Sequence, residues 1–241
     1  MKRIAFALLA LLLFAACEKD KQQQYSIQRI SSIEEYTADG DTVRVSTYSY
    51  LDDGYIIRTT LNGELERVSR LLWDEMVQVE TDSTVVGGVL QPSQTLIVYF
   101  RDINQSRVDS VVVRNGAGDK VSVDKYSYEG SWYIIDTYEN DQTTARKVCS
   151  TISGSKSVQN YIYDTEAEDW KFVNKVETIT SYDYDLTTVT TYVDNMPSEK
   201  TIYQSLGNKV EFKRYAHDGN SSWNLTGYGK YFYETLTLTL G

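Results

Sequence analysis

From Tyr25 onward, apolar and polar residues alternate in short runs. In 209–213, Val210 and Phe212 take one side, while Lys209, Glu211 and Lys213 take the other. In 235–240, Leu236, Leu238 and Leu240 oppose Thr235, Thr237 and Thr239. A period of two is the signature of a strand with one buried and one wet face. Ile27, Ile30 and Ile33 recur every three residues, as a short helix would require. The segment is rich in β-branched residues and ends in Asp39-Gly40, which favours a strand. The window with most helical character, Glu64 to Val77, follows Asn62-Gly63, a strong hairpin signal. It reads as a strand over 64–72, a turn at Trp73-Asp74-Glu75 and a strand over 76–86. Leu96 to Phe100 and Val111 to Val113 are apolar on both sides, which predicts neighbouring central strands covered on both faces.

Turn pairs punctuate these runs: Asp39-Gly40, Asp53-Gly54, Asn62-Gly63, Gly87-Gly88, Asn115-Gly116, Glu129-Gly130 and Asp218-Gly219. Glycine takes positive φ cheaply and Asx tolerates it, so such pairs close hairpins. Helical crossovers for a parallel sheet are missing. The expectation is an all-β fold, an antiparallel meander curled into an open or closed barrel-like sheet. Gly87 to Gln94, with Pro92, is the best candidate for a break between halves. It does not divide the domain, which is expected to span 26–241.

One motif recurs: Tyr-x-Tyr, then an acid, then a turn. It appears at Tyr126-Ser127-Tyr128-Glu129, Tyr161-Ile162-Tyr163-Asp164 and Tyr182-Asp183-Tyr184-Asp185. Tyr48-Ser49-Tyr50 and Tyr215-Ala216-His217 are variants, and Trp132, Trp170 and Trp223 lie just past three of the turns. Residues two apart share a face, so each copy sets two rings side by side before the chain reverses. Trp170 and Phe172 share a face if 170–180 is one strand. Buried, these aromatics would cement the sheet through cross-strand pairs; exposed in a groove, they would stack on sugars. The candidate ligand-binding set is Trp132, Trp170, Phe172, Trp223, Tyr128 and Tyr163.

The N-terminus sets an address. Met1-Lys2-Arg3 is basic, and Ile4 to Ala16 is apolar throughout. That run is too short to span a bilayer and suits a signal peptide over 1–16. Leu13-Phe14-Ala15-Ala16-Cys17 resembles a lipobox, which makes Cys17 the expected lipidation site and membrane anchor. Residues 17–25 then read as the lipidated cysteine and a polar tether.

The 241 residues carry 24 basic and 34 acidic side chains, a formal charge of −10; loss of Lys2 and Arg3 with a signal peptide makes it −12. Such a surface argues against nucleic acid or anionic lipid as partner. The 20 tyrosines strengthen the β reading. With Cys17 assigned to export, Cys149 stands alone, so a disulfide framework is excluded, and it reads as a small buried apolar residue. His217 is the single histidine and substitutes for the second tyrosine of a motif. A triad or His-based metal site needs more. Ser153-Gly154-Ser155-Lys156 has Ser-x-x-Lys spacing but sits in a turn without the companion motifs. Asp164, Glu166, Glu168 and Asp169 crowd one turn without a calcium-loop pattern, and read as a solvated turn that discourages edge pairing. No catalytic residue, metal site or cofactor is expected. Charged outward positions such as Lys209, Glu211 and Lys213 argue against a lipid-facing barrel.

Together, the lipobox-like 13–17, the polar tether, the Ile-rich strand with Asp39-Gly40 and the Tyr-x-Tyr-acid hairpins resemble small Bacteroidetes lipoproteins with a porin-like antiparallel β fold. The hairpins are also similar to the YD repeats of larger surface proteins. Glu18-Lys19-Asp20-Lys21 resembles, in part, the surface-export signals of Bacteroidetes lipoproteins. The resemblance implies a fold and a compartment, and no activity. The expected protein is outer-membrane and lipid-anchored, either displayed on the surface or facing the periplasm. Its expected role is non-enzymatic binding of a glycan, a peptide or an envelope partner. The alternatives are a structural accessory lipoprotein and, further off, a hydrolase.

Overall fold

A computed structural model of the protein describes residues 24–41 and 43–239. The expected signal peptide (1–16), the expected lipidation site Cys17 and most of the expected tether fall outside the described residues. Within them the chain forms sixteen strands and no helix. They are β1 (Gln24–Thr37), β2 (Val43–Leu51), β3 (Gly54–Leu61), β4 (Glu64–Asp74), β5 (Val77–Val86), β6 (Val89–Phe100), β7 (Val108–Asn115) and β8 (Lys120–Glu129), then β9 (Trp132–Glu139), β10 (Gln142–Ile152), β11 (Ser155–Asp164), β12 (Asp169–Asp183), β13 (Leu186–Val193), β14 (Met196–Leu206), β15 (Lys209–His217) and β16 (Trp223–Thr239). Each pairs antiparallel with its sequence neighbour, and β16 pairs with β1 to close a barrel. The expected meander is therefore closed. We call the mouth where β1 begins and β16 ends proximal, and the other distal.

Three sequence expectations shift. The turn after β4 falls at Glu75-Met76, because β4 pairs through Asp74. Gly87-Gly88 closes the β5–β6 hairpin, and the sheet continues through it with a one-residue register shift at Ser93. Pro92 is accommodated at a register shift, the kind of position in a sheet where proline is tolerated. β6 and β7 are neighbours, as expected, but among the described residues nothing covers their outer face, where Tyr99 is 39% exposed, because the barrel is one sheet thick.

Registered partners share a face, so the pairings sort every strand into two walls. Among the described residues the six buried side chains (Ser69, Leu71, Asp82, Cys149, Phe212 and Tyr231) fall on one wall, which is therefore the inside. Lys209, Glu211 and Lys213 fall outside, as their alternation implied. Sixteen strands enclose an interior too wide for side chains to fill. Most inner side chains accordingly stay half-buried, and stability rests on cross-strand pairs rather than on a central core.

Curvature has a repeated cause. Seven hairpins at the distal mouth carry one extra residue on the return strand, at Glu66, Ser93, Val121, Thr144, Val173, Ser198 and Thr226. At the proximal mouth only the β6–β7 hairpin does so, at Asp109. Bulges bend the strand and strengthen its twist, which closes a sheet. A bulge also frees a carbonyl. Ser93, Thr144 and Thr226 each donate their hydroxyl back across the break, to the carbonyls of Asp82 (3.1 Å), Thr137 (3.3 Å) and Arg214 (3.2 Å). Small hydroxyl residues at these positions thus satisfy acceptors the ladder abandons.

One polar cluster stands on the inner wall. Arg67 donates to Asp82 Oδ1 at 2.8 Å and to Ser69 Oγ at 2.9 Å, and Ser69 donates to Asp82 at 2.6 Å. Asp82 is 7% exposed and Arg67 42%. Removing a cation from a buried carboxylate is costly, although the exposed guanidinium softens the effect. Arg67→Ala is expected to lower stability by about 2 kcal/mol in denaturant titration, and no change in midpoint would remove this pairing from the account.

Candidate functional site

The Tyr-x-Tyr motif has two orientations. Copies that precede a proximal turn, Tyr48/Tyr50 and Tyr126/Tyr128, point inward. Copies that precede a distal turn, Tyr161/Tyr163 and Tyr215/His217, point outward. Aromatics consequently line the inside of one mouth and the outside of the other. The copy at Tyr182 and Tyr184 reaches the proximal turn and is exposed, with Tyr184 in the turn itself at φ 52°.

At the proximal mouth three clusters stand on the inner wall. Tyr48, Tyr50, Tyr55 and Trp73 pack with neighbouring centroids 5.8–6.4 Å apart. Tyr126 and Tyr128 meet Tyr133 at 6.1 and 5.7 Å, and Tyr203, Phe212 and Tyr231 form the third group. Burial pushes the phenols of Tyr48 and Tyr126 up to about 12. It pushes Tyr133 and Tyr231 higher, helped by Cys149 beside the first and Tyr203 beside the second. Cys149 is buried, as expected, and burial raises its thiol.

Outside the distal mouth runs an aromatic arc. Tyr163 meets Trp170 edge-on at 5.3 Å, and Tyr161 meets Phe172 at 5.6 Å. Trp223 meets His217 at 5.0 Å, and His217 Nδ1 accepts the Gly219 N–H. Tyr36 stacks on Tyr228 at 5.0 Å. Cations lie over these rings. Arg146 stands 4.4 Å from Trp170, Lys125 4.8 Å from Tyr138, and Lys200 4.5 Å from Trp223 and 5.2 Å from Tyr215. Two shallow recesses belong to the same rim. One, of about 330 Å³, is lined by Lys120, Val123, Lys125, Tyr138 and Asp141. The other, of about 340 Å³, lies between the β13–β14 turn with the start of β14 (Met196 to Ser198) and His217.

The six candidate ligand residues therefore separate. Trp170, Phe172, Tyr163 and Trp223 lie on the distal outer arc. Trp132 is also on the outer wall, but at the proximal end, paired with Glu129. Tyr128 is on the inner wall, where its hydroxyl donates to the Val108 carbonyl and Arg101 and Arg107 each lie 5.4 Å from its ring. Trp170 and Phe172 do share a face, since β12 is one strand. Sequence reasoning missed Tyr138, Tyr36 and the stacked cations. A usable signal was present: Tyr36, Tyr138, Tyr163, Tyr192 and His217 each stand within two residues of a distal turn.

The acidic turn is structural in its geometry. Asp164 Oδ1 accepts the N–H groups of Glu166 (3.0 Å) and Ala167 (3.1 Å), which lowers its pKa. Among the described residues no three His, Cys, Asp or Glu side chains converge as metal ligands.

Comparison with solved structures bears on the fold. The chain is similar to a porin-like protein from Bacteroides uniformis, with a TM-score of 0.52 and 12% identity over 86% of this chain and 96% of that one. A protein of unknown function from Bacteroides fragilis matches at a TM-score of 0.27 and 18% identity, over 63% of this chain and 90% of that one. No family model and no curated protein matches the chain. The porin-like antiparallel fold expected from the sequence is the fold the chain has.

Proposed function

We propose that the protein is a lipid-anchored, non-enzymatic binding module of the cell envelope that holds a glycan along its distal outer arc. The carrying observation is convergence: Tyr163, Trp170, Phe172 and Trp223 lie with two recesses on one rim. Half-buried rings and the exposed Phe172, beside shallow polar hollows, suit the apolar faces and hydroxyls of sugars. The outer wall supports a barrel standing in water. Lys175, Glu177, Lys200, Glu211 and Lys213 interrupt the continuous apolar band that lipid requires. Attachment would then rest on Cys17, seven residues before β1 begins. The proximal mouth would face the membrane and the arc would face away.

The test uses the full chain expressed in cells. Trp170→Ala and Trp223→Ala are each expected to weaken retention on immobilised envelope glycans about tenfold, roughly 1.4 kcal/mol. Strand circular dichroism should not change. Cys17→Ser should move the protein from the membrane to the soluble fraction. Undiminished retention by both tryptophan variants would remove the arc from the proposal, and membrane retention of the serine variant would remove the anchor.

A further inference from the structure

The geometry points to an acidic ligand: we propose that the arc takes a linear polysaccharide bearing carboxylates, of the uronic acid class. This rests on the glycan-binding reading above and names its chemistry.

The key residues are Lys125 and Lys200. Lys125 lies opposite Asp136 in the β8–β9 register, where an ion pair is expected. Asp136 instead accepts from Nε and Nη2 of Arg146, at 2.6 and 2.9 Å. Lys125 is left over the Tyr138 ring with no carboxylate bound among the described residues. Lys200 lies opposite Thr190 on one side and Tyr215 on the other, so no acid faces it across the sheet. It rests between Trp223 and Tyr215. In a chain with ten more acids than bases, two lysines without carboxylate partners among the described residues stand on aromatic rings on the same rim. Lys125 lines one recess, and Lys200 shares Trp223 with His217, which lines the other.

The acid lining each recess already has a partner, which for Asp141 is Lys120 in the same recess. Asp141 binds Lys120 at 3.0 Å, and Asp194 accepts the Lys175 N–H at 2.8 Å. A carboxylate arriving at either lysine would draw the ammonium off its ring. That movement would bare the ring face to the C–H face of the same sugar. One ligand unit would thus use both groups.

Spacing selects the class. Lys125 on β8 and Lys200 on β14 are six strands apart, about 29 Å along the wall at ~4.8 Å per strand. Arg146 and Trp170 lie between them. Cations this sparse suit a polymer that spaces its carboxylates with neutral sugars, as hyaluronan does on alternate units, and not one charged at every unit. Nucleic acid carries charge every few ångströms and needs a dense basic track, which a chain of charge −10 does not offer.

The experiment passes the full chain over immobilised alginate, polygalacturonate and hyaluronan, and over the carboxyl-reduced form of each. Retention on at least one uronate is expected, falling tenfold or more on its reduced form and with rising salt. The double variant Lys125→Gln, Lys200→Gln should bind the uronate no better than wild type binds the reduced polymer. Its strand signal should be unchanged. Equal retention on charged and reduced polymers would overturn the acidic class and leave glycan binding standing. A double variant that binds as wild type would overturn the assignment to these lysines. Absence of retention on every polymer, reduced forms included, would remove this inference, while loss of envelope-glycan retention as well would remove the glycan reading beneath it.

Discussion

Alkali is expected to unfold this barrel cooperatively between about pH 11 and 12, well before its backbone chemistry is threatened. Tyr48, Tyr126, Tyr133 and Tyr231 carry phenols pushed above the ordinary value of 10.0, chiefly by burial. Because the folded pKa is raised, the folded state holds its protons more tightly than the unfolded chain. The resulting stability is complete below pH 10, where both states are protonated. It is lost as pH rises from 10 through the folded values, at about 12 for Tyr48 and Tyr126. Each such group removes roughly 1.4 kcal/mol per pH unit in that window. Four together, allowing for partial exposure, remove roughly 3–5 kcal/mol per unit. Two such units remove roughly 6–10 kcal/mol, enough to unfold a domain in the lower half of the usual range of about 5–15 kcal/mol. Tyrosinate absorbance and strand circular dichroism, followed against pH, should therefore change together in one steep step. Titration of all 20 tyrosines near pH 10 with the strand signal intact would show that the inner rings are not desolvated.

The residues behind that prediction also show what the sequence could express. Strands and turns were legible, because period-two alternation and Gly- or Asn-containing pairs are local signals. Asn62-Gly63 closes β3–β4 with Asn62 at φ 51° and Gly63 at φ 87°, as such a pair should. Lys209, Glu211 and Lys213 point outward as their charge demands. The orientation of the tyrosine pairs was not legible. Tyr126/Tyr128 and Tyr161/Tyr163 look alike in sequence, yet one pair is inside and the other outside. Facing depends on the register carried around the sheet, and a slip of one residue reverses every side chain. Each distal bulge is such a slip, and single residues such as Ser93 or Thr226 do not announce it. The assembly of the arc from β8 to β1 was hidden for the same reason. Lys125, Trp170 and Trp223 become parts of one surface only after the meander closes. Closure itself follows from a sheet of this many strands with no other edge protection.

Phe212→Ala is the substitution expected to cost most, about 3–5 kcal/mol, because it empties the best-packed point of a wall with little core. Phe212 is 2% exposed, lies 5.1 Å from the Tyr231 ring and 6.2 Å from Tyr203, and faces Gly229 across the β15–β16 register. Its ring occupies the space a side chain at Gly229 would need. A Cβ there would stand 2.5 Å from the ring and 2.2 Å from the Glu34 carbonyl oxygen on β1. The glycine is required by close approach on two sides. Gly229→Ala is therefore expected to destabilise by about 1–3 kcal/mol. The two effects need not add, since the residues touch. In the Phe212→Ala background the ring clash is gone but the carbonyl clash remains. Gly229→Ala should then cost less than in wild type, but still cost something. Denaturant midpoints for the four members of the cycle decide it. A Gly229→Ala penalty unchanged by removing the ring would place the whole constraint on the β1 backbone. A penalty abolished by removing it would place the constraint on the ring alone, and the seam between first and last strands would then be held by a side chain.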